Sequence, residues 1–165
     1  MRAPAALTVL VALALAAPVA GAAVAGKAVL ARGAVTGTAA DGSILVLGKE
    51  SPISEGDVIT TGKRSFAVLE MNDGTRMSLR PETVFRVEAF RTDAGAESAL
   101  LRLFKGGMRT ITGYVSKRNP EAYKVRTAVA TIGIRGTEFD VRLCGEDCRA
   151  ESEKLGAPAA AVTSR

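Results

Sequence analysis

Ala130-Thr131-Ile132-Gly133-Ile134-Arg135-Gly136-Thr137-Glu138-Phe139-Asp140-Val141-Arg142-Leu143 is the stretch whose reading decides the fold class. From Thr137 onward the residues alternate. Thr137, Phe139, Val141 and Leu143 point to one face of an extended chain, and Glu138, Asp140 and Arg142 to the other, the pattern of a half-buried strand. Just ahead of it, Gly133 and Gly136 bracket Ile134-Arg135, where the backbone is expected to bulge, bend or pass close to a neighbour before it feeds the core.

Working outward, the same grammar repeats. Tyr123-Lys124-Val125-Arg126-Thr127 leads into this block, and Lys117-Arg118-Asn119-Pro120 reads as a surface loop. Leu100-Leu101-Arg102-Leu103-Phe104-Lys105 and Met108-Arg109-Thr110-Ile111-Thr112 flank Gly106-Gly107, a tight turn or a bulge. Thr83-Val84-Phe85-Arg86-Val87-Glu88 sends Phe85 and Val87 inward. The clearest hairpin joins Ser65-Phe66-Ala67-Val68-Leu69-Glu70-Met71 to Thr75-Arg76-Met77-Ser78-Leu79-Arg80 across Asn72-Asp73-Gly74, with Ala67, Leu69, Met71, Met77 and Leu79 on its core face. Toward the N-terminus come Ile44-Leu45-Val46-Leu47, a turn at Asp41-Gly42, and one short opening strand drawn from residues 28–37. Strands recur at intervals of about 10 to 12 residues with turn signals between them, and no long amphipathic helix competes. The expected fold is all-β: a single domain of short strands forming a β-sandwich or a β-solenoid-like stack.

The termini differ from this body. Arg2 precedes an apolar run containing Leu7, Val9, Leu10, Val11, Leu13 and Leu15, and Ala20-Gly21-Ala22 and Ala23-Val24-Ala25 both fit a small-x-small processing site. Residues 1–25 are therefore expected to be a signal peptide cut after Ala22 or Ala25, with a retained N-terminal anchor as the alternative, since no charge falls between Pro4 and Lys27. Residues 27–148 make the β domain and residues 149–165 a flexible tail with little to bury. Cys144 and Cys148 close a small loop after the last strand, and in an oxidising compartment a disulfide is the plain reading, two free thiols the alternative.

Charge and composition bound the chemistry. The chain carries 22 basic and 17 acidic residues and no histidine, for a net charge of +5. A histidine-based triad or base is therefore absent, no Ser-x-x-Lys occurs, and no carboxylate pair stands apart from the solvated faces, so no enzyme is expected. Two thiolates alone supply half a zinc shell, and no cofactor or metal is expected. Gly62-Lys63 ends a stretch with the wrong spacing for a phosphate loop and no helix after it. The charge is uneven: residues 102–126 hold seven cations, Arg102, Lys105, Arg109, Lys117, Arg118, Lys124 and Arg126, and one anion, Glu121. That segment is either a solvated outer face or a site for an anionic polymer, a lipid headgroup or an acidic partner. Nucleic acid is not expected, because few aromatics interleave the cations.

Two signatures stand together in this chain: Glu55-Gly56-Asp57-Val58-Ile59-Thr60-Thr61-Gly62-Lys63-Arg64-Ser65 with the Asp73-Gly74 hairpin after it, and Ile132-Gly133-Ile134-Arg135-Gly136-Thr137-Glu138-Phe139. In these motifs, and over residues 30–143, the chain resembles the FecR domain family. The resemblance implies a periplasmic β domain without settled chemistry. The family also includes membrane-spanning regulators that act on a sigma factor, but only four residues precede the apolar run here, so that role is not expected. The motif residues themselves read as backbone devices. Gly56, Gly62, Gly74, Gly133 and Gly136 are expected to serve turns or positive φ, Asp57 and Asp73 to bond nearby backbone, and Thr61 and Ser65 to do so more weakly. Arg135 is expected to pair with a core-edge carboxylate such as Glu138 or Asp140, the alternative being an external anion, and Thr137 and Phe139 to face the core. The function expected is a non-enzymatic, periplasmic or secreted interaction or sensory module with an envelope protein as partner. The alternative is binding of an anionic glycan or lipid headgroup through residues 102–126.

Overall fold

The computed structural model describes residues 22–143 and Thr163–Ser164. The body of the expected leader, both cysteines and the rest of the expected tail lie outside the described residues. Among the described residues thirteen strands form one curled sheet: β1 (Val24–Arg32), β2 (Val35–Thr38), β3 (Ile44–Val46), β4 (Pro52–Ser54), β5 (Val58–Thr61), β6 (Phe66–Met71), β7 (Arg76–Leu79), β8 (Val84–Arg91), β9 (Ser98–Ile111), β10 (Tyr123–Arg126), β11 (Thr131–Gly133), β12 (Glu138–Leu143) and β13 (Thr163–Ser164). A single turn of helix, α1 (Tyr114–Arg118), follows β9. The expectation of an all-β chain is met.

β9 is the spine. Its first half pairs antiparallel with β8 and parallel with β10, and its second half pairs antiparallel with β7 and β12. Two wings therefore leave it, β8-β5-β2-β3 on one side of the bend and β7-β6-β1-β4 on the other. The curl comes from the period-two pattern acting on both wings at once. Ile59 (β5), Phe85 and Val87 (β8), Leu101 and Leu103 (β9) from one wing share a single cluster with Leu69 (β6), Met77 and Leu79 (β7) and Met108 (β9) from the other, all at most 1% exposed. Each such side chain contributes about 1.5–3 kcal/mol when fully buried, so closing the curl is strongly driven.

The hairpin is as its sequence says: Leu69 stands opposite Met77 and Ala67 opposite Leu79, all buried, while Arg76 and Ser78 are exposed. Several expectations need correction. The opening strand is two strands in different wings, β1 beside β6 and β2 beside β5, because the chain turns at Gly33 and Ala34. Gly106-Gly107 is a bend inside a continuous β9, not a turn that ends it. Residues 117–120 are not simply loop. α1 forms there because Val115 and Ser116 have core to bury against, and a five-residue helix is too short to display a 3.6 period in sequence. Thr137 lies outside β12 and is exposed, whereas Phe139 and Val141 are 3% and 4% exposed. β13, inside the expected tail, pairs with Phe139 and Asp140 of β12.

Candidate functional site

The first motif builds the seam where the chain crosses between wings. Asp57 does what was expected locally: its Oδ2 accepts the Ser54 N–H at 2.8 Å and holds the β4–β5 turn. Thr61 and Ser65 do not bond locally. The Thr61 hydroxyl donates to the Arg80 carbonyl at 2.6 Å and accepts the Thr83 N–H at 2.9 Å, and Ser65 Oγ accepts the Ala34 N–H at 2.8 Å. Thr83 continues the row, donating to the Gly107 carbonyl at 3.0 Å and accepting the Gly107 N–H at 3.1 Å. The three hydroxyl residues are 0–4% exposed, and they satisfy main-chain groups freed where four strands leave the ladder. Gly56 and Gly74 hold positive φ as expected, but Gly62 and Gly133 do not. Gly62 is explained by close approach of Ala34 and Ser65, and nothing in the structure explains a glycine at 133.

The second motif closes against the end of β9 and α1, and Asp73 holds α1 from the other side. Asp73 is 4% exposed. Its carboxylate accepts the Thr75 N–H at 2.7 Å, the Thr75 hydroxyl at 2.9 Å and the Val115 N–H at 3.3 Å, and its carbonyl accepts the Tyr114 N–H at 3.1 Å. Thr75 Oγ1 in turn accepts the Gly113 N–H at 2.8 Å. On the far side of α1, the Gly136 carbonyl accepts from Thr112 and Ser116, and the Thr137 carbonyl from the Thr112 N–H. Phe139 meets Tyr123 edge to face, ring centroids 6.2 Å apart. The hairpin tip, α1 and the second motif are thus one clasp, which sequence spacing did not reveal because its parts lie about 40 residues apart.

The Tyr123 hydroxyl is fully buried beside Thr75 and Asp73 without a hydrogen bond of its own. Burial, then the Asp73 charge, pushes its phenol well above the ordinary value. A folded-state value above the unfolded one means stability that is whole below about pH 10 and is lost as pH rises beyond it. Tyr123→Phe is therefore expected to melt no earlier than the parent at neutral pH, and to lose less stability on going to strongly alkaline buffer. Thermal denaturation at both pH values reads this, and a variant destabilised by about 2 kcal/mol at neutral pH would show instead that the hydroxyl is bonded.

Ion pairs answer most of the segment at residues 102–126. Arg102 and Arg126 share Glu88 at 3.1 and 3.2 Å, Lys105 meets Glu82, Arg109 meets Glu138, and Arg118 meets Glu97 while lying over the Tyr114 ring. Lys117 and Lys124 are exposed. Arg135 pairs with Glu121 rather than with Glu138 or Asp140, which are taken by Arg109 of β9 and by Arg80 just past the end of β7. Cys144 and Cys148, the expected disulfide, lie outside the described residues, and among those residues no three metal-ligating side chains converge.

One surface feature was hidden in the sequence. Among the described residues β3 ends one wing and pairs only with β2, and its Ile44, Leu45 and Val46 are 68%, 64% and 81% exposed. The bonds between Leu47 and Val35 and between Ala39 and Ser43 set the register. Leu45 then bonds Gly37, and the main-chain groups of Ile44 and Val46 point outward from the edge. An apolar triplet between turn signals reads equally as a buried strand, so only the topology exposes it.

In this curled sheet the buried hydroxyls of Thr61, Ser65 and Thr83 serve main-chain groups, and so does the Asp73 carboxylate. The chain belongs to the FecR family: the family model described as FecR protein matches residues 57–154. The match starts after β4 and takes in the first motif from Asp57 onward and the whole of the second. No curated protein matches. Among solved structures, one described as a cell surface anchoring domain is similar at 24% identity, covering 37% of this chain and 80% of that one, with a TM-score of 0.36.

Proposed function

We propose that this FecR-family chain is a non-enzymatic interaction module of the cell envelope, exported to the periplasm, and that it meets a protein partner by strand addition at β3. The observation that carries this reading is the free, apolar, outward-bonding edge at Ile44 and Val46. Such an edge is a template for another strand, and proteins that do not use one blunt it with charge, proline or cover. Export fits the start of the fold. Cleavage after Ala22 would keep all of β1 and the Ala23 carbonyl that accepts the Glu55 N–H at 2.9 Å, whereas cleavage after Ala25 would remove that contact and the buried Ala25. The rival reading through residues 102–126 is weakened because five of the seven cations there already hold carboxylates.

A photo-crosslinking residue at Val46, with one at the equally exposed Val129 as control, tests this in intact cells. The expected result is a discrete adduct with one envelope protein from position 46 only. Val46→Pro removes an outward N–H without touching the bonds to β2, and it is expected to weaken capture by roughly tenfold at unchanged melting temperature. Equal labelling from both positions would sink the reading.

A further inference from the structure

On the outer face of the other wing, beside the seam, lies an open groove of about 620 Å³ lined by Lys63, Arg64, Phe66, Arg80, Pro81 and Arg109 among others, with four cations and no carboxylate in its wall. Lys63 and Arg64 are exposed on the turn anchored by Ser65 and make no ion pair among the described residues. Arg80 and Arg109 each give one nitrogen to a carboxylate of β12, Arg80 to Asp140 at 2.6 Å and Arg109 to Glu138, and remain 46% and 59% exposed. Those carboxylates fix the two guanidinium groups in place and leave their remaining N–H groups free to bond an incoming anion. Phe66, 39% exposed, and Pro81 supply an apolar bed among the cations.

β12 shows what this surface recognises. It is an extended segment with carboxylates at alternate positions about 7 Å apart, Glu138 and Asp140, which meet Arg109 of β9 and Arg80 just past β7. We propose that the groove binds an extended acidic peptide segment of a protein partner, repeating the β12 pattern across Lys63, Arg64 and the free edges of Arg80 and Arg109. Phe66 and Pro81 cover the methylene stems of its glutamates. This rests on the interaction reading and names a second contact for it, distinct from β3 and sharing only Arg109 with the basic segment at residues 102–126.

The test is fluorescence anisotropy with a labelled peptide alternating Glu and Thr, against the same peptide with Gln for Glu, on the purified chain. Binding is expected for the Glu peptide alone. It should weaken by about tenfold in Lys63→Gln with Arg64→Gln, and hold in the control Lys117→Gln with Lys124→Gln. An unchanged affinity in the first pair, or equal loss in the control pair, overturns the groove. A polyuronate that competes more tightly than the peptide, with the same dependence on Lys63 and Arg64, makes the occupant a glycan and also overturns it. If the Glu peptide does not bind while capture through Val46 persists, the groove has failed and the β3 reading stands.

Discussion

Replacing Gly106 with alanine is expected to cost about 3 kcal/mol or more of folding stability, enough to lower the melting temperature by roughly 10 °C. Two effects add at this one position. The backbone φ of +81° is a left-handed conformation that costs an L side chain about 1–2 kcal/mol. A Cβ there would also lie 2.5 Å from the Thr83 hydroxyl, 2.6 Å from the Thr83 Cα and 2.8 Å from the Glu82 carbonyl, so backbone as well as side chain would have to move. That movement strikes Thr83, whose hydroxyl holds both main-chain groups of Gly107 where β9 passes between wings. Gly95→Ala is the control, because it has the same sign and size of φ, +82°, with nothing near its Cβ. It is expected to lose only the conformational part. Chemical denaturation of both variants separates the terms, and equal losses would mean that the bend tolerates expansion and that the seam is not where the fold is held.

The same position shows how far the sequence speaks. Alternation told which residues of β6, β7, β8 and β12 face the core, because burial on one face of a strand imposes a period of two wherever it occurs. It could not tell that Gly106-Gly107 bends a strand instead of ending one, since both leave the same two letters. Nor could it show that Thr61 reaches Arg80 and Thr83, or that Ser65 reaches Ala34, because a hydroxyl's partner is set by which strands turn beside it. The motif of the first signature was legible as a backbone device, and its reach was not. Arg135 carries the same lesson: proximity in sequence suggested Glu138 and Asp140, but these meet Arg109 on β9 and Arg80 beyond it, and Glu121 after α1 is what stands beside Arg135. Exposure was least legible of all. Ile44, Leu45 and Val46 look like core, and only their place at the end of a wing makes them surface.

Asp73→Ala is expected to be the most damaging change at a polar residue, at about 3–4 kcal/mol, because it strands three buried donors at once. The Thr75 N–H, the Thr75 hydroxyl and the Val115 N–H all end on this carboxylate, and both Asp73 and Thr75 are at most 4% exposed, so water cannot readily take its place. Asp73→Asn separates hydrogen bonding from charge. Its amide oxygen can still accept the Thr75 N–H, but its NH2 faces the Val115 N–H as donor against donor, so roughly half the loss is expected. The local consequence differs from that of the Gly106 change. Loss at Asp73 releases α1 from the hairpin tip, and with it the Gly136 and Thr137 carbonyls that bond Thr112 and Ser116. Hydrogen exchange should then rise at Gly113, Tyr114 and Val115 and in the second motif before it rises in β5 or β8. If the asparagine variant is as unstable as the alanine one, the negative charge itself is what the clasp requires. If exchange rises uniformly instead, hairpin tip and second motif do not form a unit, and the account of the second signature given by this geometry is wrong.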